Sequence, residues 1–346
     1  MHFASEYTGK TGLVERGRML IFITTRGHEY TVMAFVKQTT GVPTPAATVA
    51  TYDQLFQSAR VLRGTYIFTD IERLYPWEVG LAADMYRSLE SAGLRCLNDP
   101  VRVLTRYELL RTLHRQGINP FDVYRAEDRP RPKRFPVFVR SEQDHGPPFG
   151  GLLSSQEELD SHLDNMIKGG TPLRGLVVIE FCAEPVCDGV WRKFGTFCVG
   201  GRFHVDHHVT EDSWLVKDGK PDISPEWLRV DEHRAVTENR CPDPVMRAFR
   251  LASIDYGRAD HTKVNGSEVV YEINTNPQIG SLKPQAHPIR DQTLAHSRRA
   301  MAANLFAIDS GDAAAVNVVP SERVCRYRDS IRGNALLGKL LPAYRP

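Results

Sequence analysis

The sequence predicts a mixed chain, α/β at first and α+β after it. Three observations lead there. Strand and helix patterns alternate from Leu20-Ile21-Phe22-Ile23 to Pro100, as a small domain with a mostly parallel sheet requires. Apolar runs and cappable helices alternate again between Thr105 and Phe181. Beyond them, two turn signals, Gly200-Gly201 and Asn265-Gly266, call for antiparallel hairpins.

The bulk properties agree with a soluble globular chain. It has 346 residues, enough for about two domains, with 41% hydrophobic and 25% charged residues. Lys+Arg number 44 against 42 Asp+Glu, a net charge of +2 that argues against nucleic acid as a partner. No apolar run approaches the ~20 residues that span a bilayer. Residues 1–18 carry Glu6, Lys10, Glu15, Arg16 and Arg18 without an apolar stretch, so they read as an extension and not a signal peptide. The six cysteines form no Cys-x-x-Cys pair, which predicts reduced thiols in a cytoplasmic protein.

Taken in order, Leu20–Ile23 is a buried strand, and Thr24-Thr25-Arg26-Gly27-His28-Glu29 is its following loop. Tyr66–Asp70 is a second strand. A helix opens at Pro76-Trp77-Glu78 and runs to Ser91, with Gly93 just past its end. Thr105 and Glu108 have capping-box spacing ahead of a helix whose apolar face is Leu109, Leu110 and Leu113. Phe135–Arg140 is a strand, followed by a Gly/Pro loop from His145 to Gly151. Ser154 and Ser155 cap a helix through Leu163 and Met166. Leu176–Phe181 is the next strand, then come the hairpins Phe194–Val199/Arg202–Val209 and Ala259–Val264/Val269–Ile273. Helices are expected over 244–253 and 292–308, and a basic tail after Ser310.

The sharpest chemical signal lies in the second hairpin. Side chains two apart on a strand share a face, so Glu272 and Asn274 point together, and the Asn265-Gly266 turn returns Asp260 alongside them. Two carboxylates and an amide oxygen make a hard, all-oxygen site suited to Mg²⁺, with Mn²⁺ as the alternative. The competing reading is an exposed polar hairpin that faces water.

With Gly257-Arg258-Ala259-Asp260 followed by Glu272-Ile273-Asn274-Thr275-Asn276-Pro277, the sequence resembles the ATP-grasp superfamily over about residues 95–308. Members of that family include D-alanine–D-alanine ligase, glutathione synthetase and ligases that add glutamate to a ribosomal protein. The resemblance implies an amino-terminal domain at 19–100 and two α+β lobes, about 101–175 and 176–310, that clamp ATP, with a tail at 311–346. It also implies an ATP-dependent ligase joining a small carboxylate to an amine, amino acid or peptide through an acyl phosphate. Asp260, Glu272 and Asn274 would hold the metal, and Arg258 would steady the charge that builds on the intermediate. Arg106 and Arg140 stand where the family places phosphate-binding lysines; a guanidinium binds phosphate bidentately but with different reach. Val178-Ile179-Glu180-Phe181 resembles the linker whose backbone and acidic residue hold adenine and ribose. Arg192 and Lys193 stand where similar enzymes use a basic residue on phosphate or substrate, with a solvated strand edge as the alternative. A kinase on the same fold and a non-catalytic nucleotide- or partner-binding module are the rival readings.

Other residues are less specific. Arg26 and His28 follow the first strand, where α/β proteins place binding loops, and are candidate substrate contacts. His204, Asp206 and His208 alternate on one strand face with His207 on the other; a polar strand near the substrate cleft is preferred to zinc, which would need closed geometry. The tail arginines Arg323, Arg326, Arg328 and Arg332 read as a solvated surface. Homodimer formation is left open.

Overall fold

A computed structural model describes residues 19–144, 146–217, 219–279, 287–310 and 313–340, with the backbone alone at 221 and 333–340. The expected extension 1–18, His145 of the Gly/Pro loop, and residues 311–312 and 341–346 of the expected tail lie outside the described residues.

The first sheet is parallel. β1 (Leu20–Thr24) is flanked by β2 (Ala47–Thr51) and, after the short β3 (Arg60–Leu62), by β4 (Thr65–Phe68), which pairs in turn with β5 (Arg95–Leu97). Both faces are covered, which is why β1 and β4 read as unbroken apolar runs. Ile21, Ile23, Tyr66 and Phe68 pack under α2 (Tyr52–Gln57) and α3 (Pro76–Ser91). Leu20, Phe22 and Ile67 face the opposite way. The helix α1 (Met33–Val36) is a single turn in the loop after β1.

The second sheet carries the order β6-β9-β7-β8, from β6 (Val123–Arg125), β7 (Val137–Ser141), β8 (Phe149–Leu153) and β9 (Leu176–Glu180). Thr105 and Glu108 make the expected capping box at the head of α4 (Arg106–Arg115), and Leu110 of that helix packs on one face of the sheet. Helix α5 (Gln156–Lys168), capped by Ser155, seats Leu159 and Leu163 on the other. Two expectations change here. The Gly/Pro loop closes into β8, an edge strand whose register against β7 shifts between Val137 and Val139; paired glycines are compatible with such an irregular edge. The lobe boundary expected at 175 falls inside this sheet, because Leu176–Glu180 bonds to both β6 and β7.

The third sheet is antiparallel, β11-β10-β12-β13, built from β10 (Trp191–Val199), β11 (Arg202–Glu211), β12 (Tyr256–Val264) and β13 (Ser267–Asn274). The β12–β13 turn has positive φ at both Asn265 (50°) and Gly266 (76°), the type I′ form its sequence predicts. Helix α6 (Glu226–Thr237) lies against β11, while α7 (Asp243–Ala252) seats Val245 and Phe249 on Cys198, Ala259 and Val270. On the other face, Phe197, Val199 and Tyr256 meet Leu20, Phe22 and Met301, Leu305 and Ile308 of α8 (Pro288–Ile308). That shared core joins the first sheet to the third.

The basic segment after Ser310 returns to the core that covers one face of the first sheet. β14 (Ala315–Asn317) pairs antiparallel with β3, and α9 (Glu322–Leu340) places Val324 in the core beneath α3. Arg328 donates from Nε to the carbonyl of Phe56 at 2.7 Å and from Nη2 to that of Ser58 at 2.8 Å. A cation there satisfies carbonyls that the end of α2 leaves unpaired, so this part of the basic run is structural and not a solvated surface. No helix among the described residues is long and apolar enough to cross a membrane.

Candidate active site

On β12 and β13, Asp260 lies directly opposite Glu272 and Arg258 opposite Asn274. Directly paired residues of antiparallel strands share a face, so these four side chains form a square of two carboxylates, an amide and a guanidinium. The hairpin is not an exposed one: Asp260 is 4% exposed. Its carboxylate accepts Lys193 Nζ at 2.9 Å and Arg258 Nε at 3.2 Å. Burial works against ionisation, but the two cations together hold the Asp260 carboxyl below its ordinary range. Arg258 also reaches Asp206 on β11, Nη1 to Oδ2 at 3.8 Å. Gly195 makes that crossing possible: a Cβ there would stand 3.1 Å from Arg258 Cδ and 3.5 Å from Asp206 Cβ.

Glu272 is gripped from the second sheet. Arg106 Nη2 donates to Glu272 Oε2 at 2.5 Å, while its Nη1 donates to the carbonyls of Ser141, Glu142 and Asp144 at 2.7, 3.1 and 2.9 Å. One guanidinium at the start of α4 thereby ties the end of β7 to β13. Arg140 on β7 lies 3.9 Å from the same carboxylate oxygen, and burial lowers its pKa from the usual arginine value. Among the described residues its buried Nε has no hydrogen-bond partner.

Two cavities meet at this square. A narrow one of about 110 Å³ lies between the second and third sheets and is walled by Phe138, Ile179, Phe181, Trp214 and Tyr271. Trp214 sits 5.2 Å from Phe138 and 5.5 Å from Phe181, ring centre to ring centre. At one end this slot reaches Arg140, Lys193, Asp260 and Glu272. The larger cavity, about 670 Å³, lies beside the first sheet and α8, and also touches Lys193 and Asp260, together with Arg258 and Asn274.

The other residues singled out in the sequence fall as follows. His28 lines the large cavity, but Arg26 does not: it is exposed and pairs with Asp53 at 3.0 Å. The Arg192 guanidinium turns to Asp231 of α6 at 2.6 Å and lies over the Phe194 ring, so that of these two residues Lys193 is the one that reaches the square. Glu180, expected to hold ribose, is filled by protein donors: the backbone N–H groups of Asp122, Lys133 and Arg134 and the Tyr124 hydroxyl, at 2.9–3.2 Å. It braces the slot wall that Phe181 completes. The strict alternation of residues 204–208 is also corrected. The β10–β11 register slips between Phe194 and Thr196, a bulge that brings Asp206 and His207 together onto the large cavity. His204 instead stacks on Phe197, and His208 lies 3.5 Å from Glu232. Among the described residues, no group of three or more His, Cys, Asp or Glu is placed to hold a metal.

Sequence reasoning missed Asp70, Arg73 and Trp214. Asp70 and Arg73 follow the C-terminal end of β4, where parallel sheets carry binding residues, and that rule was the signal available for them. Trp214 sits in the segment after β11, with no pattern that marks it.

No protein-family model and no curated protein sequence matches the chain. In chain course it is similar to solved ATP-grasp ligases. The D-alanine–D-alanine ligase from Bacillus anthracis matches 91% of this chain and 99% of its own, with a TM-score of 0.47 at 13% identity. The L-amino acid ligase from Bacillus licheniformis matches 75% of this chain and 67% of its own, with 0.44 at 13%. An ATP-grasp RimK domain protein from Sphaerobacter thermophilus matches 82% and 98%, with 0.43 at 13%.

Proposed function

We propose that this chain is an ATP-dependent carboxylate–amine ligase of ATP-grasp type, working in the cytoplasm with Mg²⁺ or Mn²⁺ on small substrates. One observation carries the reading: an aromatic slot and a larger polar cavity share Lys193 and Asp260. A nucleotide whose base lies among Phe138, Phe181 and Trp214 would bring its phosphates to that shared wall. A carboxylate in the larger cavity would then meet the terminal phosphorus from the other side.

The donor set fits a hard divalent cation, since Asp260, Glu272 and Asn274 offer only oxygens on one face. Bound there, the metal would neutralise charge between the terminal phosphates. The remaining work belongs to the chain's own cations. Arg140 and Lys193 would take over phosphate charge, for which a guanidinium and an ammonium are suited. Arg258, fixed between Asp206 and Asp260, would stabilise the oxyanion that forms when an amine attacks the acyl phosphate. Positioning in the two cavities supplies most of the rest.

The test is Mg²⁺-dependent ADP release with paired amino acids and short peptides, with mass spectrometry of products and hydroxylamine as a trap. Hydroxamate without added amine, and a joined product lacking one water with it, are the expected results. A phosphorylated hydroxyl with no hydroxamate would establish a kinase instead. Calorimetry showing no binding at millimolar Mg-ATP would leave only a partner-binding module.

A further inference from the structure

We propose that His28, oriented by Asp70, takes the proton from the attacking amine. This assignment rests on the ligase reading and adds to it the group that makes the nucleophile. The two residues come from loops at the C-terminal ends of adjacent parallel strands, β1 and β4. His28 Nδ1 lies 2.6 Å from Asp70 Oδ2. Asp70 is buried, while the His28 side chain is 29% exposed and lines the large cavity.

The carboxylate is held on three sides. Arg73 Nε donates to Asp70 Oδ1 at 3.1 Å, the Thr25 hydroxyl donates to Oδ2, and His28 occupies the rest of Oδ2. An ionised carboxylate only accepts, so Nδ1 carries the hydrogen and the lone pair lies on Nε2. A buried acid that fixes the tautomer of a cavity histidine is the arrangement by which imidazole serves as a base. His28 is further steadied through its own carbonyl, 3.5 Å from Asn276 Nδ2.

The chemistry requires such a group. An amino acid or peptide amine is mainly ammonium at neutral pH, and that form has no lone pair to offer. One N–H proton passes to His28 Nε2, and the freed pair forms the C–N bond at the acyl-phosphate carbonyl, whose π electrons move to oxygen. As those electrons return, the C–O bond to phosphate breaks and inorganic phosphate leaves with that bonding pair. The second amine proton goes to solvent in the open cavity, and the histidinium loses its own proton there. Asp70 acts through His28 and is a positioning residue.

The experiment compares two nucleophiles on the full chain with ATP, Mg²⁺ and the proteinogenic amino acids in both enantiomers. Hydroxylamine is already unprotonated at neutral pH and does not need the base; an amino acid does. In His28→Gln, amide formation should fall about a hundredfold or more in kcat, while most hydroxamate formation survives, and added imidazole should restore part of the amide rate. Asp70→Asn should show the same split, with its melting temperature reporting that it folds. Equal loss of both products in His28→Gln, or loss of neither, overturns the assignment. Absence of hydroxamate from the unmodified chain overturns the ligase reading, and this one with it.

Discussion

Asn276 Oδ1 accepts the Thr31 hydroxyl at 2.8 Å, joining the end of the third sheet to the loop after the first strand. The same amide donates to Thr24 Oγ1 at 3.0 Å, and Ile279 N donates to the Thr31 carbonyl at 3.0 Å. Thr275 Oγ1 reaches Glu72 at 2.7 Å. The run Thr275–Ile279 therefore laces one wall of the large cavity to the other. Asn276→Ala should lower stability by about 1–3 kcal/mol, because it removes the buried amide's bonds to the Thr31 and Thr24 hydroxyls and leaves Thr31 only the His28 carbonyl. Urea unfolding reads that loss, and a raised KM for the amine in steady-state assays reads the loosened cavity.

Arg106→Lys tests whether the guanidinium is a substitute for a lysine or a different device. A lysine ammonium at that point cannot span three carbonyls of residues 141–144 and Glu272 together. The variant should lose about 1–3 kcal/mol of stability and turn over ATP more slowly. Equal melting temperatures and turnover would mean that the clasp has no function.

Glu272→Gln should abolish ATP turnover while ATP affinity falls only in part, since the aromatic slot is untouched. Gln keeps the shape but withdraws the counter-charge from Arg106 and Arg140, so stability should drop as well, by about 1.5–3 kcal/mol. Turnover measured across Mg²⁺ concentrations, with calorimetry on Mg-ATP, separates the two effects.

Gly195→Ala places a methyl group against Arg258 Cδ. It should push the guanidinium off Asp260 and slow amide formation, with ATP binding in the neighbouring slot kept. Hydroxamate and ADP assays beside calorimetry check this split.

His204 contributes an acid-sensitive term to stability. Burial holds its imidazole neutral and lowers its pKa to about 4, against about 6.5 in the unfolded chain. The unfolded chain therefore binds the extra proton first. Stability is full above about pH 6.5, declines by about 3 kcal/mol as pH falls to 4, and levels off below that. His204→Gln should flatten this part of the profile in denaturation measured from pH 7 to 4.

What the sequence disclosed were local signals. Thr105 with Glu108, Ser155, Pro76 and Asn265-Gly266 each place an element end within a few residues, because caps and turns depend on neighbours in the chain. The third-sheet square was readable for the same reason, as period two and one hairpin fix it. Other features depended on distant partners. Ala47–Thr51 is a half-buried edge strand with weak apolar character. Helix α6 was missed because it buries only Leu228, Glu232 and Val236. The direction of Arg192 is set by Asp231, and the filling of Glu180 by residues 122–134; neither is visible from strand alternation. His28 was singled out without Asp70, since their pairing spans two loops.

The β3–β14 pairing also has a meaning for how the chain is made. Leu62 and Ala315 stand about 250 residues apart, which takes a ribosome tens of seconds at ~5–20 residues per second. Until Val318 and Val324 emerge, the apolar surface around Val61 and Leu81 has no cover. The core on one face of the earliest-made sheet is thus among the last to be closed, and the nascent chain carries an exposed seam through most of its own translation.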